Sequence, residues 1–454
     1  MHLIIIGGVA AGSKAAARAR RINPDLRITL YQDEAEVSYT ACGQPYYLSG
    51  LIARREALII RRPADFAMDG IEVKVNHRVT ALNTTERRLT VHDREHDKTT
   101  VVPYDRLIIA TGARNPIPDV PGCRLDGVVT LRSLAELDRF RTVLEKLRPK
   151  TAVIVGSGYI GLEMVESLSE LGIQVTLLSR NKQVFSRLDE EMSRPIHDYL
   201  IEKKVRVISG DGIAEVVGNA AGRVTAVTTS TGMSVPADLV LLALGIQPNV
   251  ELARQAGIKL GSTGAIAVDQ RMETNISGIF AAGDCAESCH RLTGLPVWEP
   301  LGDIANLHGR VAGENAAGGD ARFPGVLGTT ICKTFDLTIG LTGLSEKAVH
   351  AAGFETVSAA ISVRDKARYY PGARELCLKL VAEANGGRLL GAQAVGFGAV
   401  DKTIDIAATA LLGKLNCSDL ENADLAYAPP FSPVLSPIIV AAGVLNKKIR
   451  PAGH

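Results

Sequence analysis

The stretch Ala152-Val153-Ile154-Val155-Gly156-Ser157-Gly158-Tyr159-Ile160-Gly161-Leu162-Glu163 decides the fold. A β-branched apolar run enters glycines in G-x-G-x-x-G spacing, and an apolar segment of helical character continues to Leu171, before a second apolar run at Val175 to Leu178. Strand, tight turn, helix and strand make one βαβ unit. The glycines let the backbone turn sharply and bring its N–H groups close to a pyrophosphate at the helix N-terminus, so the unit is a dinucleotide site.

The N-terminus repeats the plan. Leu3 to Ile6 lead into Gly7, Gly8 and Gly12, an alanine-rich helix follows, and Arg27 to Tyr31 form the next strand. Val9 replaces the middle glycine here, so its side chain must point away from a bound pyrophosphate. At the end of the second strand, where a ribose-binding carboxylate usually stands, the sequence has Gln32 with Asp33 and Glu34 beside it. The matching position of the other unit is Ser179, followed by Arg180, Asn181 and Lys182. A small hydroxyl followed by cations suits a 2′-phosphate, so NADPH is expected ahead of NADH. Two nucleotide sites in one chain imply a relay from nicotinamide to a flavin, FAD. The run Thr274 to Asp284, ending in Gly283-Asp284, supplies a carboxylate for flavin ribitol or ribose hydroxyls.

The fold class is α/β, with two Rossmann-like dinucleotide-binding domains and a C-terminal α+β domain. Residues 1–115 and 246–322 are expected to form the FAD domain, 116–245 the NAD(P) domain, and 323–454 the last. At 454 residues the chain exceeds one compact core, and its 46% hydrophobic and 22% charged composition is that of a folded soluble protein. A net charge of +2 advertises neither nucleic acid nor an anionic membrane as a partner. The apolar run Val434 to Leu445 is too short to span a bilayer and is expected at a subunit interface. Seven scattered cysteines do not form a secreted disulfide framework, so a reducing cytoplasm is expected. Cys285 and Cys289 lack a second ligand pair nearby, and no metal is expected.

The most distinctive cysteine lies in Ser38-Tyr39-Thr40-Ala41-Cys42-Gly43-Gln44-Pro45-Tyr46-Tyr47. Pro45 fits the opening turn of a helix, which places Cys42 by its positive end and favours the thiolate.

With Ala110-Thr111-Gly112, Phe323 to Thr330, Tyr369-Tyr370-Pro371-Gly372 and Leu425 to Pro430, these motifs resemble the single-cysteine branch of the pyridine nucleotide-disulfide oxidoreductases. That branch includes coenzyme A-disulfide reductases, persulfide reductases and NADH oxidases. The resemblance implies a homodimer built through the C-terminal domain, with Cys42 as the redox-active thiol and Tyr427, Tyr369 and Tyr370 as tyrosines that reach the sulfur. It assigns Gly7, Gly8, Ala11, Gly12, Gln32, Asp33, Ser38, Gly43, Thr111, Gly112, Gly283 and Asp284 to FAD. Gly156, Gly158, Tyr159, Ile160, Gly161, Glu163, Ser179, Arg180, Lys182 and Gly245 fall to NAD(P). Arg18, Arg21, Arg61 and Arg62, with Ser38, are the candidates for a coenzyme A-like substrate. Two departures stand out: Ala41 and Gln44 occupy positions where coenzyme A-binding members usually carry Asn and Leu, and Ala10 occupies the histidine position of peroxidase-type members. The expected activity is reduction of a low-molecular-weight disulfide or persulfide by NAD(P)H; the alternatives are oxygen reduction through a cysteine sulfenic acid and an electron-transfer subunit of a larger complex.

Overall fold

The computed structural model describes residues 1–449, and the chain divides into two compact units. The first comprises Met1–Pro116, Thr130–Thr142 and Gly245–Val326, and the second comprises Ile117–Val129, Val143–Leu244 and the chain from Leu327 onward. Residues 450–454, the end of the expected C-terminal domain, lie outside the described residues.

The first unit is built on a parallel sheet in the order Ile279–Ala281, Arg106–Ile109, His2–Ile6, Arg27–Tyr31, Ile71–Lys74. Leu3, Ile4 and Ile5 are fully buried, as expected of a central parallel strand covered on both faces. The helix Ala11–Ile22 buries Ala15, Ala16 and Ala19, and the helix Gly302–Ala316 packs against it. Backbone approach here is close enough to demand glycine. A Cβ on Gly309 would stand 2.2 Å from the Ala11 carbonyl oxygen, and one on Gly313 would stand 2.3 Å from that of Ala15. A three-stranded antiparallel meander, His77–Asn83, Arg88–Asp93 and Lys98–Pro103, completes the unit.

The second unit repeats the parallel design in the order Arg206–Ser209, Gln174–Ser179, Thr151–Val155, Leu239–Leu242, Val128–Val129. In both sheets the chain leaves the first strand to one side and later returns on the other. That reversal opens a crevice at the carboxyl end of the first strand, and the glycine turn sits there. The unit also contains an antiparallel sheet in the order Thr330–Thr334, Leu337–Gly343, Leu389–Gly396, Glu375–Glu383, Thr356–Arg364.

One sequence expectation differs from what is observed. The segment Thr130–Thr142 lies inside the expected NAD(P) domain by position, yet it packs with the first unit. Long-range pairing explains this: Arg55 grips Asp138 through Nε and Nη2 at 2.7 and 2.8 Å, and Gln44 Nε2 donates to the Arg132 carbonyl at 2.9 Å. The apolar run near the C-terminus, expected at a subunit interface, is helical for most of its length. The helix Pro437–Asn446 packs against the strands Thr356–Arg364 and Glu375–Glu383 and buries Ile438, Ala441, Ala442 and Leu445 within its own unit. Val434 and Leu435 just before it remain exposed. No helix among the described residues is long and apolar enough to cross a membrane.

Candidate active site

The two glycine turns superpose residue for residue by their hydrogen bonds. Gly7 N donates to the Tyr31 carbonyl and Gly156 N to that of Leu178, each at 2.8 Å, which makes Gln32 and Ser179 equivalent positions. Gly7 and Gly156 have φ of +95° and +117°, and a Cβ on either would stand 2.1 Å from a carbonyl oxygen, that of Ala110 or Ala243. Gly12 and Gly161 are required in the same way, 1.8 and 2.0 Å from the Gly7 and Gly156 oxygens. Gly158 is different. It is exposed, and a Cβ there would meet nothing within 4 Å, so the protein's own packing does not call for glycine. The backbone there is open to the approach of a ligand.

The helices that start at these turns share a second property. Ala11–Ile22 and Tyr159–Glu170 have no side-chain cap and no acidic residue in the first turn, which leaves their leading N–H groups to an external acceptor. Side-chain caps occur at two other helices, where Ser345 accepts from Ala348 N and Asn416 accepts from Asp419 N, while Glu190–Glu202 and Gly302–Ala316 also lack one, so it is the glycine turn together with the open end that marks these two. Uncapped, cation-like helix ends at two sheet switch points fit two pyrophosphates.

Around the first turn, Gln32 is buried and its Oε1 accepts from Gly8 N at 2.8 Å. Asp33 is drawn to Arg94, 2.9 Å away, at the surface. The carboxylate that stays inside is Glu34, which accepts from the Tyr39 hydroxyl at 2.6 Å and whose pKa is raised by burial. Ser38 holds a left-handed φ of +52° while its N–H donates to the Gly8 carbonyl, so the loop leading to Cys42 is pinned to the glycine turn. Thr111 and Gly112 are fixed by Asn249: Thr111 Oγ1 donates to its carbonyl at 2.7 Å, and Asn249 N donates to the Gly112 carbonyl at 2.9 Å. Gly283 has φ of +79° and lies against Ala11, which brings Asp284 to the mouth of the first turn. Arg132 pairs with the Asp284 carboxylate at 2.5 Å. Asn249 and Arg132 escape a motif-based reading because their partners are distant in the chain.

Cys42 is exposed in the loop before the helix Gln44–Leu48, with Gly43 as N-cap and Pro45 in the first turn. That helix is only five residues long, so the dipole expected from Pro45 is weak. A longer one serves instead. The Sγ lies 4.0 Å from where a Cβ on Gly302 would stand, and Gly302 opens the fifteen-residue helix Gly302–Ala316. The sulfur thus lies beside a helix N-terminus, where negative charge is stabilised.

At the second turn, Ser179 is buried and its hydroxyl bonds that of Ser157 at 2.8 Å. Arg180 and Lys182 are exposed beyond it and make no ion pair among the described residues. Tyr159 packs edge-on to Phe185 at 4.8 Å, and its hydroxyl bonds Thr330 Oγ1 at 2.5 Å. Burial, assisted by Glu166, pushes Glu163 up to about 7. Gly245 has φ of +96° and begins the last part of the first unit.

Residues 1–300 match the family model described as pyridine nucleotide-disulphide oxidoreductase, and residues 329–437 match its dimerisation domain. This chain belongs to the pyridine nucleotide-disulphide oxidoreductases. It is 40% identical over 448 residues to an NAD(P)H sulfur oxidoreductase (CoA-dependent) of Pyrococcus abyssi, covering 98% of each chain. To a coenzyme A disulfide reductase of Staphylococcus haemolyticus it is 31% identical over 433 residues, covering 95% of this chain and 96% of the relative. Among solved structures, an NAD-dependent persulfide reductase from A. fulgidus aligns with a TM-score of 0.95 at 39% identity, over 99% of this chain and 83% of that one. As in its family, the cofactors of this oxidoreductase are FAD and a nicotinamide dinucleotide.

Within this pyridine nucleotide-disulphide oxidoreductase the four candidate arginines divide. Arg18 is engaged by Glu314 through Nε at 2.8 Å, and Arg61 donates to Asp69 at 2.6 Å while lying over the Phe66 ring. Arg21 and Arg62 are exposed without an ion pair among the described residues, and the Arg62 backbone N–H donates to Asp65 Oδ2. The three candidate tyrosines sit on exposed segments of the second unit. A hydrogen bond with Tyr369 holds Tyr427 above the usual phenol range, so its O–H stays protonated at neutral pH.

His308, in the helix beside Gly283, is a buried neutral base. Its Nδ1 accepts from Gly283 N at 3.4 Å and its Nε2 faces Ser288 Oγ at 3.0 Å, which assigns the proton to Nε2. Burial drives its pKa down to about 4. An unfolded imidazole titrates near 6.5, so as pH falls the unfolded chain takes up the proton first. Stability is therefore complete above pH 6.5 and is lost as pH falls towards 4, by about 3 kcal/mol. Urea denaturation of the FAD-stripped protein should show this loss, and His308→Gln should flatten it; an unchanged slope in the variant would refute the assignment.

Proposed function

We propose that this chain is an FAD-dependent NAD(P)H oxidoreductase that reduces a low-molecular-weight disulfide or persulfide through Cys42, with a coenzyme A thiol as the carried group. The observation that carries the reading is the placement of Cys42, exposed and with its Sγ beside Gly302, the first residue of a long helix in the unit that holds the first glycine turn. The other cysteines of that unit are Cys285, fully buried with its pKa raised by desolvation, and Cys289.

Bound at the first turn, FAD supplies a two-electron relay between nicotinamide and sulfur. Gly7, Gly12 and the open N-terminus of Ala11–Ile22 would hold its pyrophosphate, with Glu34 and Asp284 placed for hydroxyl groups. Gly156, Gly158 and Gly161 would hold NAD(P)H, with Ser179, Arg180 and Lys182 favouring a 2′-phosphate. The Cys42 thiolate attacks one sulfur of the acceptor: the S–S bond breaks, a mixed disulfide forms on Cys42, and the departing thiolate takes a proton. Two electrons and a second proton then release the other thiol and restore the Cys42 thiolate. For a disulfide the balance is RSSR + NAD(P)H + H⁺ giving 2 RSH + NAD(P)⁺; a persulfide RSSH gives RSH and H₂S. Tyr427 supplies a phenol O–H to a sulfur anion, and on the homodimer reading it comes from the second subunit. Arg21 and Arg62 are the cations left for coenzyme A phosphates.

An anaerobic panel of coenzyme A disulfide, coenzyme A persulfide, glutathione disulfide and polysulfide, with NADH or NADPH as donor, tests the reading. A coenzyme A acceptor should exceed glutathione disulfide in kcat/KM by about tenfold or more at low salt, and the margin should shrink as salt screens the phosphate contacts. NAD(P)H oxidation that runs as fast on oxygen alone as on any sulfur acceptor would overturn it.

A further inference from the structure

Asp284 presents a puzzle of charge. It stands at the mouth of the first glycine turn because Gly283 packs on Ala11, the first residue of the uncapped helix. An anionic dinucleotide seated on that helix end would meet a carboxylate held partly buried beside it. Like charges in such a position repel strongly because water screens them poorly.

The neighbourhood contains the remedy. Arg132 Nη2 pairs with Asp284 Oδ2 at 2.5 Å, and its Nε donates to the Ala113 carbonyl at 2.6 Å, just after Thr111 and Gly112. The backbone carbonyl of the same residue accepts from Gln44 Nε2 at 2.9 Å, and Gln44 is almost fully buried two residues after Cys42. One arginine thus touches the Gly-Asp motif, the Thr111-Gly112 turn and the thiol loop. Its planar fork suits this task, since two donors are aimed at once and the charge is permanent.

We propose that Arg132 is a positioning residue of the flavin site: its guanidinium neutralises Asp284 so that the anionic FAD can bind next to that carboxylate. The proposal rests on the reading of the first glycine turn as the FAD site. Loss of the guanidinium should leave Asp284 facing the dinucleotide with its charge uncompensated, while loss of both charges should relieve the conflict.

The test uses FAD-stripped full-length protein titrated with FAD and followed by quenching of flavin fluorescence, with thermal melting of each apoprotein alongside. Arg132→Met should raise the FAD Kd by about 10- to 100-fold, the range of one charge-assisted contact. Arg132→Lys, which keeps the charge without the fork, should fall between it and the wild type. The decisive arm is Asp284→Asn in the Arg132→Met background, which should recover most of the lost affinity because the amide keeps its hydrogen bonds without the charge. Wild-type affinity in Arg132→Met, or a double variant that binds FAD no better than Arg132→Met, would overturn the proposal; a melting loss in Arg132→Met leaves Arg132→Lys, against Asp284→Asn alone, to show the same ordering or refute it. Failure of the wild-type apoprotein to take up FAD would instead strike the reading beneath it.

Discussion

Cys42→Ser is expected to keep FAD bound and to keep its reduction by NAD(P)H, while turnover with sulfur acceptors falls by about three orders of magnitude or more. The residue is exposed, and oxygen for sulfur is a small volume change, so the fold has little reason to respond. The chemistry has every reason. A serine hydroxyl is not ionised near neutral pH, whereas attack on an S–S bond requires an anion. Other thiols are poor substitutes: burial raises the pKa of Cys123, Cys285 and Cys332, and that of Cys417 to about 12. Rapid-mixing absorbance separates the two half-reactions, reduction by the nicotinamide donor and reoxidation by the acceptor. Only the second should fail. Acceptor turnover that survives the substitution would remove Cys42 from the mechanism and direct attention to Cys289, the other exposed thiol.

The parts of this site that sequence made legible are those that form a local pattern of residue types along the chain. Gly7, Gly12, Gly156 and Gly161 announce themselves because each glycine turn closes on backbone next to it in the sheet, and the spacing is forced by a Cβ that would stand 2.1 Å or less from a carbonyl oxygen. The equivalence of Gln32 and Ser179 follows from counting to the end of the second strand. What could not be read is settled by contacts across long stretches of chain. Arg132 and Asp284 are 152 residues apart, and Arg55 meets Asp138 over 83. Nothing in Leu131-Arg132-Ser133 distinguishes such an arginine from a solvated one. The same limit applies to the four candidate arginines, where Arg18 finds Glu314 across 296 residues. Proximity of Gly302 to the sulfur was equally hidden, because the Cys42 loop carries its own proline-started helix and offers a local explanation that is weaker than the actual one.

Ser179→Glu should reverse nucleotide preference, lowering kcat/KM for NADPH by about 10- to 100-fold and leaving NADH equal or improved. Ser179 ends its strand where a ribose-binding carboxylate would stand, and its hydroxyl is occupied by Ser157 at 2.8 Å, so the native side chain neither repels a 2′-phosphate nor grips a 2′-hydroxyl. A glutamate there does both. On the proposed reading the attraction for phosphate in the native chain comes from Arg180 and Lys182, which are exposed and thus screened by salt. The two sources of selectivity therefore respond differently: raising ionic strength should narrow the native preference for NADPH, while the glutamate's bidentate hold on a ribose diol should persist. Stopped-flow reduction with each donor at low and high salt reads both effects. If NADPH and NADH are used in the native ratio by the variant, the strand end does not select the nucleotide; if the native ratio is indifferent to salt, Arg180 and Lys182 do not contact the phosphate.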